Sequence, residues 1–307
     1  MRSGWKSKRS SGIRLRRSMK GFRWLQLVKI RISLSAAVSS LIGYMIYSNT
    51  LDINAMELSF GVFFLACGAG AMNHYQDRFV DRHFSRTSNR PLPRNLISPP
   101  RVLFFSACLM FLGLAVIYLS RSSHWAWFTG MIAVLCYNGL YTPLKKRTNL
   151  AMIPGMFCGM IPPLIGWVAA GGPIASPQII VLMGIWGLWQ LPHFWLLILN
   201  NQKEYRESDV PNMLHQLSGS QLKRILLVWI FGFACLAFLL PVVHVLIHPW
   251  AHWFLAAGLF SMAAAFTYFL LLKDDLKKYS HLFIGLNYTM GFILTLIFVD
   301  RLTILSF

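Results

Sequence analysis

An all-α integral membrane protein of about nine transmembrane helices is the fold this sequence predicts, on three observations. Of its 307 residues 56% are hydrophobic and 13% charged, with a mean hydropathy of +0.53, which leaves too little polar surface for a soluble domain of this length. Several apolar runs reach the roughly 20 residues that a helix needs to cross about 30 Å of hydrocarbon. No run alternates polar with apolar residues as a barrel strand does, so helices must satisfy the backbone inside the bilayer.

The expected spans, in order, are about 24–49, 57–74, 101–119, 124–142, 149–170, 177–199, 222–243, 250–272 and 281–304. Short connections such as TLDINAME, SRSSH and AGGPIASP alternate with more charged ones. With the amino terminus in the cytoplasm, all 29 Lys and Arg except Arg121 and Arg301 fall on that side. That is the positive-inside bias of a polytopic protein, and it goes with an odd number of crossings and an outward carboxy terminus. It also accounts for the net charge of +19 through a basic face beside anionic lipid, so no nucleic acid is expected as a partner. Residues 1–23, rich in Ser and Arg and without an acidic residue, read as a disordered cytoplasmic tail. Residues 24–307 read as one membrane domain around a central cavity open to the cytoplasmic side. No cleavable signal with a short apolar core is visible, so the expected location is a bacterial inner (plasma) membrane, with the mitochondrial inner membrane as the alternative. Cys67, Cys108, Cys136, Cys158 and Cys235 stand singly in apolar runs, without CxxC or Cys/His spacing, and read as packing residues.

The chain has ten acidic residues, and two of them, Asp77 and Asp81, lie in NHYQDRFVDRHFSRTSNRPL, directly after the apolar FGVFFLACGAGAM. Asn73, Asp77 and Asp81 are spaced i, i+4 and i+8. If the second helix continues past the membrane core they share one face, drifting about 40° per step. Arg78, Arg82 and Arg86 then form a neighbouring stripe. Two carboxylates a turn apart repel unless something positive lies between them; Mg²⁺ favours such oxygen ligands and bridges them to phosphates, while arginines grip further phosphate oxygens. The structural alternative is an Asp–Arg network capping the helix. Charge at this membrane depth favours function.

A second polar loop on the same side, NNQKEYRESDVPNMLHQL, holds Glu204, Glu207 and Asp209. It follows WGLWQLPHFWLLIL, where Gln190 and His193 share a helical face beside Pro192. A proline there frees backbone carbonyls, which marks a cavity rather than a lipid face. A buried histidine is more often a packing residue, and Trp186, Trp189, Phe194 and Trp195 are by default lipid or core contacts. Any ring facing a cavity can stabilise a carbocation. YNGLYTPLKKRTNL sets Tyr137, Tyr141, Lys145, Lys146 and Arg147 at the end of the fourth span. These cations suit either positive-inside charge or neutralisation of a diphosphate. Gly155 and Gly159 in IPGMFCGMIPPLIGW suit close helix packing equally well.

NHYQDRFVDRHFSRTSNRPL, YTPLKKRTNLAMIPGMFCGMIPPLIGW and LWQLPHFW…KEY resemble, in order, three motifs of the protoheme IX farnesyltransferases (heme O synthases), a branch of the UbiA-type intramembrane prenyltransferases. The resemblance runs from about Lys29 to Met213; spans seven to nine match only in hydropathy. It implies that Asn73, Asp77, Asp81 and Tyr141 are catalytic and that Asp77 and Asp81, with Glu204 and Asp209, hold Mg²⁺. Arg86, Arg90, Lys145, Lys146 and Arg147 bind the diphosphate, and Gln190 and His193 contact the heme, with His74, His83 and His215 as weaker heme candidates. The chain departs from the family at Phe79, where many members carry a third carboxylate, and in EYRESDVPNML, where Glu204 and Asp209 replace Asp and Gly. The implied reaction transfers farnesyl from farnesyl diphosphate to a vinyl group of heme B. The implied partners are those two substrates and the lipid bilayer, with hand-over to a heme A synthase or to assembly of a terminal oxidase. The rivals are a sister prenyltransferase acting on an aromatic or quinone precursor, and a non-catalytic heme-binding or transport protein.

Overall fold

Helix starts are set by residues whose local chemistry suits them. Proline opens three of the long helices, where its missing N–H forfeits no helical bond. Asp52 caps another by accepting from the Ala55 N–H at 2.9 Å, and Ser218 with Gln221 forms a reciprocal capping box. The protein is seen in a computed structural model that describes residues 23–120, 124–272 and 277–305. In chain order the long helices are α1 (Ile30–Ser48), α2 (Ile53–Asp77), α3 (Pro99–Leu119), α4 (His124–Val134), α5 (Met152–Ala169), α6 (Pro177–Asn200), α7 (Gly219–Ala237), α8 (Pro249–Thr267) and α9 (Lys278–Leu305).

Among the described residues every regular element is helical, as predicted, and eight helices are long and apolar enough to cross a bilayer. The expected fourth span differs in kind: its α-helix passes into a π-helix over Leu135–Tyr141 before closing with Thr142–Leu144. The expected disordered tail and Arg121 lie outside the described residues, apart from Arg23.

The bundle is held by close crossings of backbone. A Cβ on Gly166 of α5 would stand 1.7 Å from the Ser40 carbonyl oxygen of α1, so only glycine allows those helices to touch there. Helix α2 packs along α3 and α1, and α6 lies between α5, α7 and α9. One continuous core, with Ile42, Ile165, Leu182, Ile185 and Phe233 all but fully buried, runs through the bundle. A second small cluster, Leu27, Ala71, Leu92, Ile97 and Val102, fastens the segment after α2 against the ends of α2 and α3. Phe111 and Trp253, 76% and 77% exposed, belong to the belt of large side chains that lipid solvates.

The polar loops gather at the end of the bundle where α2 finishes. At the far end, Asp300 and Arg301 of α9 are buried. Asp300 accepts the Ile247 and His248 N–H groups at 2.9 and 3.1 Å and lies 3.0 Å from His248 Nδ1. Arg301 donates to Asn49 Oδ1 at 2.9 Å and to the carbonyls of His244 and Val245, tying α9 to the end of α1 and to the turn before α8.

Candidate active site

Helix α2 does not continue past the membrane in α form, as the spacing of Asn73, Asp77 and Asp81 led us to expect. It ends at Asp77, and after Arg78 and Phe79 a 3₁₀ turn, Val80–His83, carries Asp81. The tighter turn still leaves all three side chains buried. The arginine stripe divides in consequence. Arg78 lies 4.3 Å from the rings of both Tyr75 and Phe79, and Arg82 lies 5.6 Å from Phe79, so these two wrap the Phe79 ring. Arg90 turns inward and contacts both Asp81 oxygens through Nη1 at 2.9 and 2.8 Å. The Thr87 hydroxyl fixes that loop by donating to the Asp81 carbonyl at 2.9 Å.

Asp77 is paired from the turn that follows Thr142–Leu144. Lys145 donates to Oδ2 and the Lys146 ammonium stands 3.3 Å from Oδ1. That ammonium is also bonded to the Gln76 carbonyl, and its approach to Oδ1 is an ionic contact without hydrogen-bond geometry, so the buried Oδ1 keeps no hydrogen-bond donor. Asn73 Oδ1 accepts from Lys29, whose ammonium also donates to the Tyr137 hydroxyl at 3.0 Å. Asn73 Nδ2 donates to Thr142 Oγ1 at 3.0 Å. Lys29 thus sits within electrostatic reach of Asp77, Asp81, Arg86 and Arg90. Sequence alone places Lys29 only among the basic residues of the cytoplasmic side; Arg31 follows two residues later, and nothing in the spacing of the two singles out Lys29 as the one that reaches Asn73.

The second polar loop docks on the first. Glu204 accepts from the Ser85 N–H at 3.1 Å and from the Ser85 hydroxyl, while the Phe84 and Tyr205 rings lie 4.9 Å apart. Burial raises the Tyr205 phenol above its ordinary range; Glu204 adds to the shift and Arg86 opposes it. Of the three acids in this loop, Glu204 is therefore the one beside the Asp81 segment, and Glu207 and Asp209 are exposed. Arg86 is exposed but faces both Tyr205 and Lys29 electrostatically, whereas Arg147 lines a separate cleft.

Toward the membrane interior the π-helix acts on the rings. Its wider turn sets Tyr137 and Tyr141 nearly in register, stacked at 5.8 Å and 14°, and Tyr141 stacks in turn on Phe194 of α6 at 5.7 Å and 21°. Lys145 stands 5.3 Å over Tyr141. Glycine makes room for this row: a Cβ on Gly155 would meet the Tyr141 and Phe194 rings at 3.0 Å, and one on Gly159 would meet Gln190 Nε2 at 2.3 Å. The two glycines of α5 therefore serve side chains of the π-helix and of α6. His193 lies between Trp189 and Phe283 of α9, at ring distances of 4.7 and 4.8 Å. Both Gln190 Oε1 and His193 Nδ1 are buried without a hydrogen-bond partner, as is His74 Nδ1, while His83 and His215 are exposed.

Paired carboxylates and lysines at a membrane surface, with aromatic rings leading inward from them, are the equipment of an intramembrane prenyltransferase. The chain belongs to the UbiA prenyltransferase family, which it matches over residues 36–296. Among its relatives, the protoheme IX farnesyltransferase of Nitratidesulfovibrio vulgaris is 34% identical over 70% of this chain and 75% of its own length. That of Geobacter sulfurreducens is 32% identical over 76% and 86%. A UbiA homologue from Archaeoglobus fulgidus bound to GPP and Mg²⁺ shares the fold at a TM-score of 0.67, with 12% identity over 93% of this chain and 100% of its own. The protein is an enzyme of this prenyltransferase class and a polytopic membrane protein.

Proposed function

We propose that the protein transfers a farnesyl group from farnesyl diphosphate to a vinyl group of heme B, making heme O, in a bacterial inner membrane. The observation that carries this reading is one path of side chains. It starts at Asp77 with Lys145 and Lys146, follows the Tyr137–Tyr141–Phe194 row, and ends at Gln190 and His193 with unpartnered polar atoms.

Asn73, Asp77, Asp81 and Glu204 offer hard oxygen donors, and Asp77 Oδ1 lacks a hydrogen bond, so the donor set fits Mg²⁺. Among the described residues no three His, Cys, Asp or Glu side chains group closely enough to hold an ion alone. Mg²⁺ takes only one or two carboxylates, however, and completes its shell with water and phosphate. Asp77 and Asp81 would hold it, with Glu204 rather than Asp209 beside them, and it would neutralise charge on the diphosphate. Lys29, Lys145, Lys146, Arg86 and Arg90 supply donors for the remaining phosphate oxygens as the C–O bond breaks and its electron pair leaves with the diphosphate. The faces of Tyr137, Tyr141 and Phe194 stabilise the allylic cation and keep water from it. The vinyl π pair forms the new C–C bond, water adds to the resulting cation on the porphyrin side chain, and one proton is lost. No general base is needed to activate the vinyl group. Gln190 and His193 position the acceptor through the atoms they hold free.

Mass spectrometry of heme extracted after incubating the purified protein, in lipid, with heme B, farnesyl diphosphate and Mg²⁺ tests this. We expect a farnesylated, hydrated heme that disappears when a chelator replaces Mg²⁺. Unmodified heme, with prenylation of an aromatic acid or quinone precursor instead, would overturn the heme assignment and keep the class.

A further inference from the structure

A second basic site lies on the flank of α2 that faces away from Asn73. Tyr75 stands two residues beyond Asn73, about 200° around the helix. From there a cleft of about 360 Å³ opens between the end of α2 and the segment around Thr142–Leu144, lined by Tyr75, Gln76, Arg78, Pro143, Lys146 and Arg147. Three of the six lining residues are cationic and none is acidic. The Gln76 side chain is already committed to Asn138, donating to its carbonyl at 2.8 Å and accepting from its Nδ2 at 3.1 Å. Arg78 is held rigidly, donating to the Tyr75 carbonyl at 2.7 Å with its guanidinium between the Tyr75 and Phe79 rings. Among the described residues neither Arg78 nor Arg147 has a carboxylate within ion-pair distance. A fixed guanidinium and a second, exposed arginine, neither with a counter-charge, just past the ends of apolar helices and beside a proline and a tyrosine ring, match a phosphodiester with a glycerol backbone beneath it.

We propose that this cleft binds the phosphate of an anionic phospholipid from the adjoining leaflet, with Arg78 and Arg147 as its principal contacts. Lys146 forms the wall shared with the active site, since the same ammonium touches the Gln76 carbonyl and stands 3.3 Å from Asp77 Oδ1. A lipid phosphate in the cleft therefore competes with Asp77 for that lysine. The substrate diphosphate has the closer claim on Lys145, which lies on the ring row.

Native mass spectrometry of the full chain released from detergent, after addition of phosphatidylglycerol or phosphatidylcholine, tests the site. The wild type should retain phosphatidylglycerol in preference to phosphatidylcholine. The Arg78→Gln/Arg147→Gln pair should lower phosphatidylglycerol retention on the order of thirtyfold, from two headgroup cations near the surface. Arg101→Gln, in the first turn of α3 and outside the lining of this cleft, should retain it as the wild type does. If the pair does not fold, Arg147→Gln alone, which removes no side-chain hydrogen bond among the described residues, should give about a fivefold loss. Equal retention of the two lipids, or wild-type retention by the arginine variants, overturns the proposal. Displacement of bound phosphatidylglycerol by millimolar inorganic phosphate would show a soluble-anion site instead and overturns the lipid assignment.

Discussion

Both ends of the bundle bury charge, yet they do so in different ways. At the far end, Asp300 takes two backbone N–H groups and a histidine, and Arg301 spends its donors on carbonyls and Asn49. At the other end, Asp77 and Asp81 are matched by Lys145, Lys146 and Arg90, all on loops that their own helices do not include. Among the described residues, the buried side-chain atoms left without hydrogen-bond partners, on His74, Asp77, Asn138, Gln190, His193 and Trp195, belong to α2, the π-helix after α4, and α6; none is on Asp300 or Arg301. Buried ionic groups thus do not mark a site by themselves. A site is marked by ionic partners on separately anchored segments, with unspent polar atoms beside them, because such partners can be exchanged for a substrate at little cost to the fold.

The largest effect that would break this comparison is expected at Asp77. Asp77→Asn keeps the volume and removes the charge; prenyl transfer should fall about a thousandfold, measured by product formation, with the melting temperature in detergent nearly unchanged. Two lysines would lose their partner, but both are partly exposed and water replaces it. Arg301→Gln should do the reverse. It strips donors from the buried Val245 carbonyl, the His244 carbonyl and Asn49 Oδ1, and takes the nearby cation from Asp300, so unfolding should be easier by about 3 kcal/mol, while turnover per folded molecule stays at the wild-type level. Loss of stability at Asp77 or of turnover at Arg301 would erase the distinction between the ends.

Most of the fold was legible because the bilayer leaves few choices. Twenty apolar residues without charge have one low-cost structure, and the loops betray themselves by lysine and arginine. The acidic end of α2 and the Gln190/His193 face were legible for the same reason, since polar side chains in hydrocarbon need an explanation. Three features were not. The switch to 3₁₀ after Asp77 comes just before a segment whose Leu92 and Ile97 pack on Leu27, Ala71 and Val102, contacts between residues far apart in sequence that spacing does not reveal. The π-helix of Leu135–Tyr141 carries no composition of its own, and the ring stack it creates needs Gly155 on another helix. The Asp300–Arg301 brace joins residues some 50 and 250 positions apart in sequence, and we had assigned Arg301 only to the outer face.

An intermediate effect is expected at Gly159. Gly159→Ala drives a methyl into Gln190, whose nearest atom is 2.3 Å from the new Cβ, and Gln190 must turn away. If Gln190 holds the acceptor, the KM for heme B should rise about tenfold while the KM for farnesyl diphosphate stays within about twofold. Steady-state rates with each substrate varied in turn decide it. An equal rise in both would place Gln190 in general packing rather than in acceptor binding.

The smallest effect tests whether the far end is as saturated as it looks. His248 gives Asp300 one of three contacts, and the other two come from the backbone N–H groups of Ile247 and His248, which no side-chain change removes. Gln at 248 presents an amide donor on a chain of similar length. His248→Gln should therefore cost about 1 kcal/mol or less in thermal unfolding, a single hydrogen bond exchanged for a poorer one, and leave prenyl transfer untouched. A loss as large as that of Arg301→Gln would mean that the imidazole, rather than the paired backbone N–H groups, holds the Asp300 carboxylate in the bundle, and that the far end hangs on one exchangeable side chain much as Asp77 does on Lys145.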